Sequence, residues 1–387
     1  MKLDSLLVIV DPTQAVPRLL GKVIRLARAF RPRIELFVCD TEESSAGLLP
    51  ERPAGTAGLA EQREQLRQKR LASLELLAAP VRELGNTVSA NAIWHAPLHE
   101  GIVRHVLQTK PDLVIKESHT HLPMAREFTT HTDWLLVRDC PAPLLLVKRD
   151  HWPDHLRLTA AVDPCRPAER PESLDYAILD ASGTLARGLG AQREVFHVFE
   201  GPAHLPDETV TREATMHAHA RAREAMRKLL AGQTGLKHLH YLEGDPVSLV
   251  PQHVESGAFD ILVMGAASRS RPTDPFVGGT AARVLEAVSC DVLVVKPDGF
   301  VSPMLTTAPP RGFDSAGTPA NNAGVSRLRA PGDESYGRFR GAVAVLALAA
   351  WTLGAFACPM PDHGTDAVHA QVDAPTLPGH APPADLA

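Results

Sequence analysis

Four groups of residues have types and spacings suited to chemistry. The first is Gly265-Ala266-Ala267-Ser268, followed after nine residues by Gly278-Gly279-Thr280. Small residues let backbone N–H groups approach an anion, and a helix opening at the glycine pair would add its positive end, so this pattern can cradle phosphate. Arg269 and Arg271 lie in the intervening loop and add charge. The plainer reading is an ordinary glycine-rich loop with Thr280 near a helix start. The second group is Asp163, placed so that its carboxylate could accept hydrogen bonds from a ligand hydroxyl or amine. Val-Asp-Pro also reads as a turn capped by Asp, and that reading is preferred for the matching Asp11. The third group is the His-x-His pairs, 119/121, 217/219 and 238/240. Such a pair shares one face on a strand but not on a helix, and spacing supplies no third ligand, so no metal is expected. The fourth is Cys165 beside Asp163, a thiol with no base at fixed spacing.

These groups must be held by a scaffold, and the scaffold repeats. Leu7-Val8-Ile9-Val10-Asp11-Pro12 is answered by Thr159-Ala160-Ala161-Val162-Asp163-Pro164. Residues 111–116 are answered by 259–264, and the Cys140 to Lys148 segment by Cys290 to Lys296. The offsets stay between 148 and 152, which indicates two copies of one domain and not a solenoid. Short apolar runs fall at 5–10, 33–38, 88–94, 112–116 and 143–148, then at 156–162, 194–199, 237–242, 260–264 and 291–296. Continuous apolar runs separated by long charged helical patterns, as at 60–84 and 208–231, predict α/β domains, and a further helical stretch falls at 281–288. Each would be a doubly wound parallel sheet of five strands. Ligands of such sheets sit beyond the carboxyl ends of the strands, which is where Asp163 and Gly265 fall. In the first copy that place reads Lys116-Glu117-Ser118-His119-Thr120-His121, without the glycines.

The expected organisation is a first domain at 1–152, a second at 153–300, a flexible Pro/Gly-rich linker at 301–340, an apolar helix at 341–357 and a disordered tail at 358–387. Residues 341–357 carry no charge and follow Arg338 and Arg340. Seventeen residues rich in Ala and Gly are marginal for a membrane span, which needs about 20. Two readings stand, an inner-membrane tether and a peripheral appendage, and composition favours the second. The 40 basic and 45 acidic residues give a net charge of −5, which argues against direct nucleic-acid binding. Five scattered cysteines and a start without a leader pattern point to the reducing cytoplasm. Nucleophile-elbow, P-loop and His-Glu-x-x-His patterns are absent from the sequence, so no enzyme is expected.

The second copy resembles a universal stress protein domain. The nucleotide-binding form of that family carries Gly, two residues, Gly, nine residues, then Gly followed by Ser or Thr, and Gly265 and Gly278 keep that spacing. Ser268 stands at the second glycine, and Gly279 stands at the hydroxyl position with Thr280 one place later. A β-carbon at 268 works against close approach to phosphate. Trp94-His95, Lys116, Thr132-Asp133-Trp134 and Cys140-Pro141 resemble the tandem E-type members of the family in bacteria. The resemblance implies two adenine-nucleotide alpha-hydrolase-like domains packed as a pseudo-dimer, with further homodimerisation left open. It implies a non-catalytic role in surviving stress, DNA damage included, through protein partners that the sequence does not name. ATP or a related adenine nucleotide would sit at Asp163, Gly265, Ser268, Gly278, Gly279 and Thr280. The alternative is a nucleotide- or metal-dependent hydrolase using Asp163 and the 265–280 loop.

Overall fold

All ten apolar runs form strands, because a continuous apolar strand is stable only where both faces are covered. The computed structural model describes residues 1–12, 17–42, 44, 56–118, 131–165, 171–201, 208–266 and 279–305. The first repeat runs β1 (Ser5–Ile9), α1 (Pro17–Phe30), β2 (Arg33–Asp40), α2 (Thr56–Arg82), β3 (Val88–Trp94), α3 (Leu98–Thr109), β4 (Leu113–Glu117), α4 (His131–Asp139), β5 (Leu144–Val147). The second runs β6 (Arg157–Val162), α5 (Ser173–Leu189), β7 (Gln192–Phe199), α6 (Glu208–Leu229), β8 (His238–Glu243), α7 (Pro246–Ser256), β9 (Ile261–Gly265), α8 (Gly279–Ala287), β10 (Asp291–Val295). The tail segments at 341–357 and 358–387 lie outside the described residues. The stretch read as linker begins with a single 3-10 turn, Pro303–Leu305, packed on α3.

The strands join in one ten-stranded sheet of order β3-β2-β1-β4-β5-β10-β9-β6-β7-β8. Within each repeat all pairings are parallel, and equivalent residues pair: Leu6 opposes Leu113 as Leu158 opposes Ile261. The repeats meet where β5 and β10 run antiparallel, with Leu145 opposite Leu293. Strand residues alternate between two cores, as the two-residue period requires. Leu6 and Val8 face the layer that includes α1, α2, α5 and α6, while Leu7 and Ile9 face that of α3, α4, α7 and α8.

Polar residues fasten the repeats where the strands meet. Asp291 is fully buried and accepts from the backbone N–H groups of Lys148 (2.7 Å) and Arg149 (2.8 Å) and from Trp152 Nε1 (2.7 Å). Its second oxygen also lies 2.7 Å from Nζ of Lys22, which is 2% exposed on α1. Lys148 donates to the carbonyls of Leu285 and Val288 at the end of α8, and Lys296 donates reciprocally to Arg138 O (3.2 Å) on α4. Each lysine thus meets orphan carbonyls at a helix end of the other repeat, which favours a cation. On the opposite face, Gly188 of α5 accepts the ring of Phe30 from α1; a β-carbon there would lie 2.0 Å from that ring.

Candidate functional site

The candidate crevice lies at the carboxyl ends of β6 and β9. Parallel strands present their last carbonyls and first loop residues there, beside the amino ends of the following helices. Asp163 follows β6, its backbone N–H donating to Asp175 Oδ1 (3.0 Å) in the first turn of α5. Its carboxylate is 24% exposed and lies 3.8 Å from Nδ1 of the buried His197. His197 donates from that nitrogen to Val162 O (3.0 Å), which fixes the ring on β7. Asp163 is therefore held in place with part of its carboxylate exposed.

Gly265 ends β9, and packing alone accounts for it. A β-carbon there would fall 2.7 Å from the Leu174 side chain of α5. Ala266 is buried and donates to Val295 O (3.1 Å). Gly279 and Thr280 open α8, with Thr280 exposed. Ser268 and Gly278 lie outside the described residues, as do His119 and His121. The described site residues thus gather around the ends of β6 and β9, with Thr280 at the start of the helix leading back to the sheet.

The same place in the first repeat is filled. Lys116 Nζ lies 2.8 Å from Asp133 Oδ1, and Ser118 Oγ donates to Asp133 Oδ2 (2.9 Å). Lys116 also donates to Glu117 O (2.9 Å), and all four residues are buried. Glu117 stands where the second repeat has Gly265, and faces Arg18 at 3.8 Å. The ion pair occupies the space between the end of β4 and the first turn of α4. At the equivalent positions the second repeat carries Met264 and Ala281. Sequence reasoning saw the missing glycines but not this pairing. Its signal was a lysine closing an apolar run and an aspartate in the first turn of the next helix.

The histidines follow the secondary structure. His217 and His219 lie on α6, where residues two apart diverge. His240 is partly exposed on β8; its Nε2 donates to Glu194 Oε2 (2.8 Å), and its ring lies 5.0 Å from that of His253 on α7. Arg157 donates to the other oxygen of Glu194 (3.0 Å). The His253 ring packs on Phe196 (4.4 Å) with Nε2 3.5 Å from Thr159 Oγ1. Burial, then the adjacent His240, pushes His253 down to about 4. The first repeat has the counterpart His105, whose Nε2 donates to Glu35 Oε1 (2.9 Å) and whose ring stacks on Phe37 at 4.1 Å. Among the described residues no three His, Cys, Asp or Glu side chains group as a metal site. Burial pushes the Cys39, Cys140 and Cys290 thiols up to about 12, so the exposed Cys165 is the described thiol open to reaction. Burial also lowers Lys296 to about 8.

Beside the crevice a cavity of about 690 Å³ opens between α5 and α6. Asp163, Glu172, Asp175 and Tyr176 form one wall; Arg221 and Lys228 are on the other. Its stripe on α6 repeats at three- and four-residue steps, a pattern present in the sequence but masked there by the abundance of charge.

The profile of the universal stress protein family matches residues 2–148 and 157–296. Universal stress protein E of Photorhabdus laumondii is 28% identical over 312 residues, covering 78% of this chain and 97% of its own. Universal stress protein E of Escherichia coli K12 is 27% identical over 314 residues, covering 78% and 96%. Among solved structures, a functionally unknown protein from Pseudomonas aeruginosa PAO1 aligns with a TM-score of 0.60 at 26% identity, over 76% of this chain and 93% of that one. A universal stress protein from Archaeoglobus fulgidus aligns with a TM-score of 0.57 at 14% identity, over 76% and 99%.

Proposed function

The chain belongs to the universal stress protein family, in two tandem copies, and from that premise we propose that it is a non-catalytic cytoplasmic regulator in which the second repeat binds an adenine nucleotide, ATP or a relative. Family membership supports a role in the stress response; survival of DNA damage and action through protein partners are parts of this proposal. One observation carries the division of labour: the ends of β4 and α4 are closed by Lys116, Ser118 and Asp133, whereas the matching ends of β9 and α8 carry Met264, Ala266 and Ala281. A crevice without its own ion pair can receive a charged ligand; one already filled by a buried pair cannot without breaking it, at a cost of about 3–5 kcal/mol.

In this reading Asp163 accepts from the nucleoside, while Gly278, Gly279 and Thr280 present N–H and hydroxyl groups to phosphate. Ser268 belongs to the same sequence pattern, and the Thr280 hydroxyl offsets the β-carbon that the pattern gains there. The first repeat serves as a fixed partner.

Calorimetric titration of the full chain with ATP tests the proposal. Wild type gives saturable heat, Gly278→Val loses it with an unchanged circular dichroism spectrum, and Lys116→Met keeps it. No heat and no co-purified nucleotide in wild type would defeat the nucleotide reading. The hydrolase alternative, using Asp163 and the 265–280 loop, requires ATP turnover by the same sample that disappears in Asp163→Asn.

A further inference from the structure

The groove between α5 and α6 has walls of opposite charge. Asp163 follows β6 and Glu172 caps the start of α5, where Asp175 accepts the Asp163 N–H. On α6 stand Arg221 and Lys228, one above the other along the helix. Among the described residues Arg221 makes no ion pair. Lys228 lies 3.6 Å from Glu224, whose two oxygens are both taken by Arg227 at 2.8 Å. Tyr176 lies on the acidic wall with half its surface exposed. An aromatic face beside carboxylates attracts an ammonium group.

The charge balance decides against a polyphosphate here. With Glu224 neutralised by Arg227, three carboxylates, Asp163, Glu172 and Asp175, still outnumber the two full cations of the groove, so a ligand of net negative charge is repelled overall. A zwitterion adds no net charge and satisfies both walls. A volume of 690 Å³ is about 9 Å across if equidimensional, and falls within the size range of small-molecule pockets. An extended chain of two or three residues spans roughly 7–11 Å.

We propose that this groove binds a small linear zwitterion, its ammonium beside Asp163, Glu172 and Tyr176 and its carboxylate on Arg221 and Lys228, with a free di- or tripeptide as the source that fits the span. The groove adjoins the nucleotide crevice and shares Asp163 with it; Tyr176, Arg221 and Lys228 belong to the groove alone.

The test titrates the full chain with trialanine, with 6-aminohexanoate and with N-acetyl-trialanine amide, which keeps the backbone and lacks both charges. The free zwitterions bind and the blocked peptide does not. Preference for trialanine assigns the peptide source, and preference for 6-aminohexanoate assigns an ω-amino acid. Arg221→Glu, an exposed substitution on α6, weakens binding about tenfold by turning an attraction into a repulsion. Adding Glu172→Lys to it recovers part of the affinity, because the ligand can reverse its direction. ATP binding by Arg221→Glu stays at the wild-type level, which separates this site from the crevice. Absence of binding by either zwitterion, equal binding of the blocked peptide, or no recovery in the double variant overturns the proposal.

Discussion

Replacing Asp291 by Ala removes the acceptor on which four donors converge. Two are backbone N–H groups of residues 148 and 149, one is the Trp152 indole, and one is the Lys22 ammonium. Lys22 is 2% exposed, and burial already lowers its affinity for the proton, with Asp291 opposing that effect. Without Asp291 the lysine must either stay charged without its partner or shed its proton. Removing one member of a buried pair costs about 3–5 kcal/mol. The three neutral donors add to this, each unsatisfied buried group costing about 1–3 kcal/mol; water entering the gap offsets part, so the expected loss is about 4–6 kcal/mol. Lys22→Met should cost less, about 3 kcal/mol at the low end of the range for a broken pair, because the carboxylate left behind keeps three hydrogen bonds. The assay is equilibrium urea unfolding of the full chain, read by circular dichroism and by tryptophan emission. Because Asp291 belongs to the second repeat and its donors to the first and to the joint, Asp291→Ala should also spread a single transition into two. A loss under about 1 kcal/mol, or a loss no greater than that of Lys22→Met, would refute the reasoning.

Acid should weaken the second repeat through His253. Its folded value, about 4, lies below the ordinary histidine value of 6.5, so the folded state holds it neutral while the unfolded chain takes up a proton. The contribution is therefore intact above pH 6.5 and lost as pH falls towards 4. His253→Gln should flatten the decline of the urea midpoint across that window; an unchanged decline would exclude His253 as its source. Gly265→Ala should cost about 1–3 kcal/mol by overpacking, since the new β-carbon meets Leu174 at 2.7 Å, and Leu174→Val should relieve part of it in thermal melts of the double variant. Cys39, Cys140 and Cys290, buried with thiols raised to about 12, should resist a disulfide reagent until urea unfolds the chain. Cys165→Ser should remove a fast phase, and rapid labelling of the three buried thiols in native protein would contradict the packing.

The repeat carried most of the fold. Offsets of 148 and 152 between apolar runs located every strand, since a strand covered on both faces has little freedom in sequence. The antiparallel union of β5 and β10 was hidden, because edge pairing leaves no mark on the apolar pattern of either strand. The sites divide in the same way. The loss of glycine after β4 could be read directly, since chain direction and spacing suffice. The Lys116–Asp133 pair could not, because it joins residues seventeen apart in sequence. Gly265 was read as a phosphate approach, yet Leu174 alone forbids a β-carbon there; one glycine cannot announce which neighbour requires it. The α5–α6 groove rests on the tertiary placement of two helices, which helix periodicity does not encode.

The joining of β5 to β10 within a single chain has a consequence for how the two halves can change. When identical subunits meet across a twofold axis, every substitution appears twice, and a residue that spoils one crevice spoils both. Here each position is written once. The Lys116–Asp133 pair can fill its own half while Met264 and Ala281 stay at the matching positions of the other, and the partner needed to cover the edge strand is always supplied at fixed stoichiometry. Dilution cannot part the halves, so their pairing should be independent of protein concentration, and the first half is free to trade ligand capture for support.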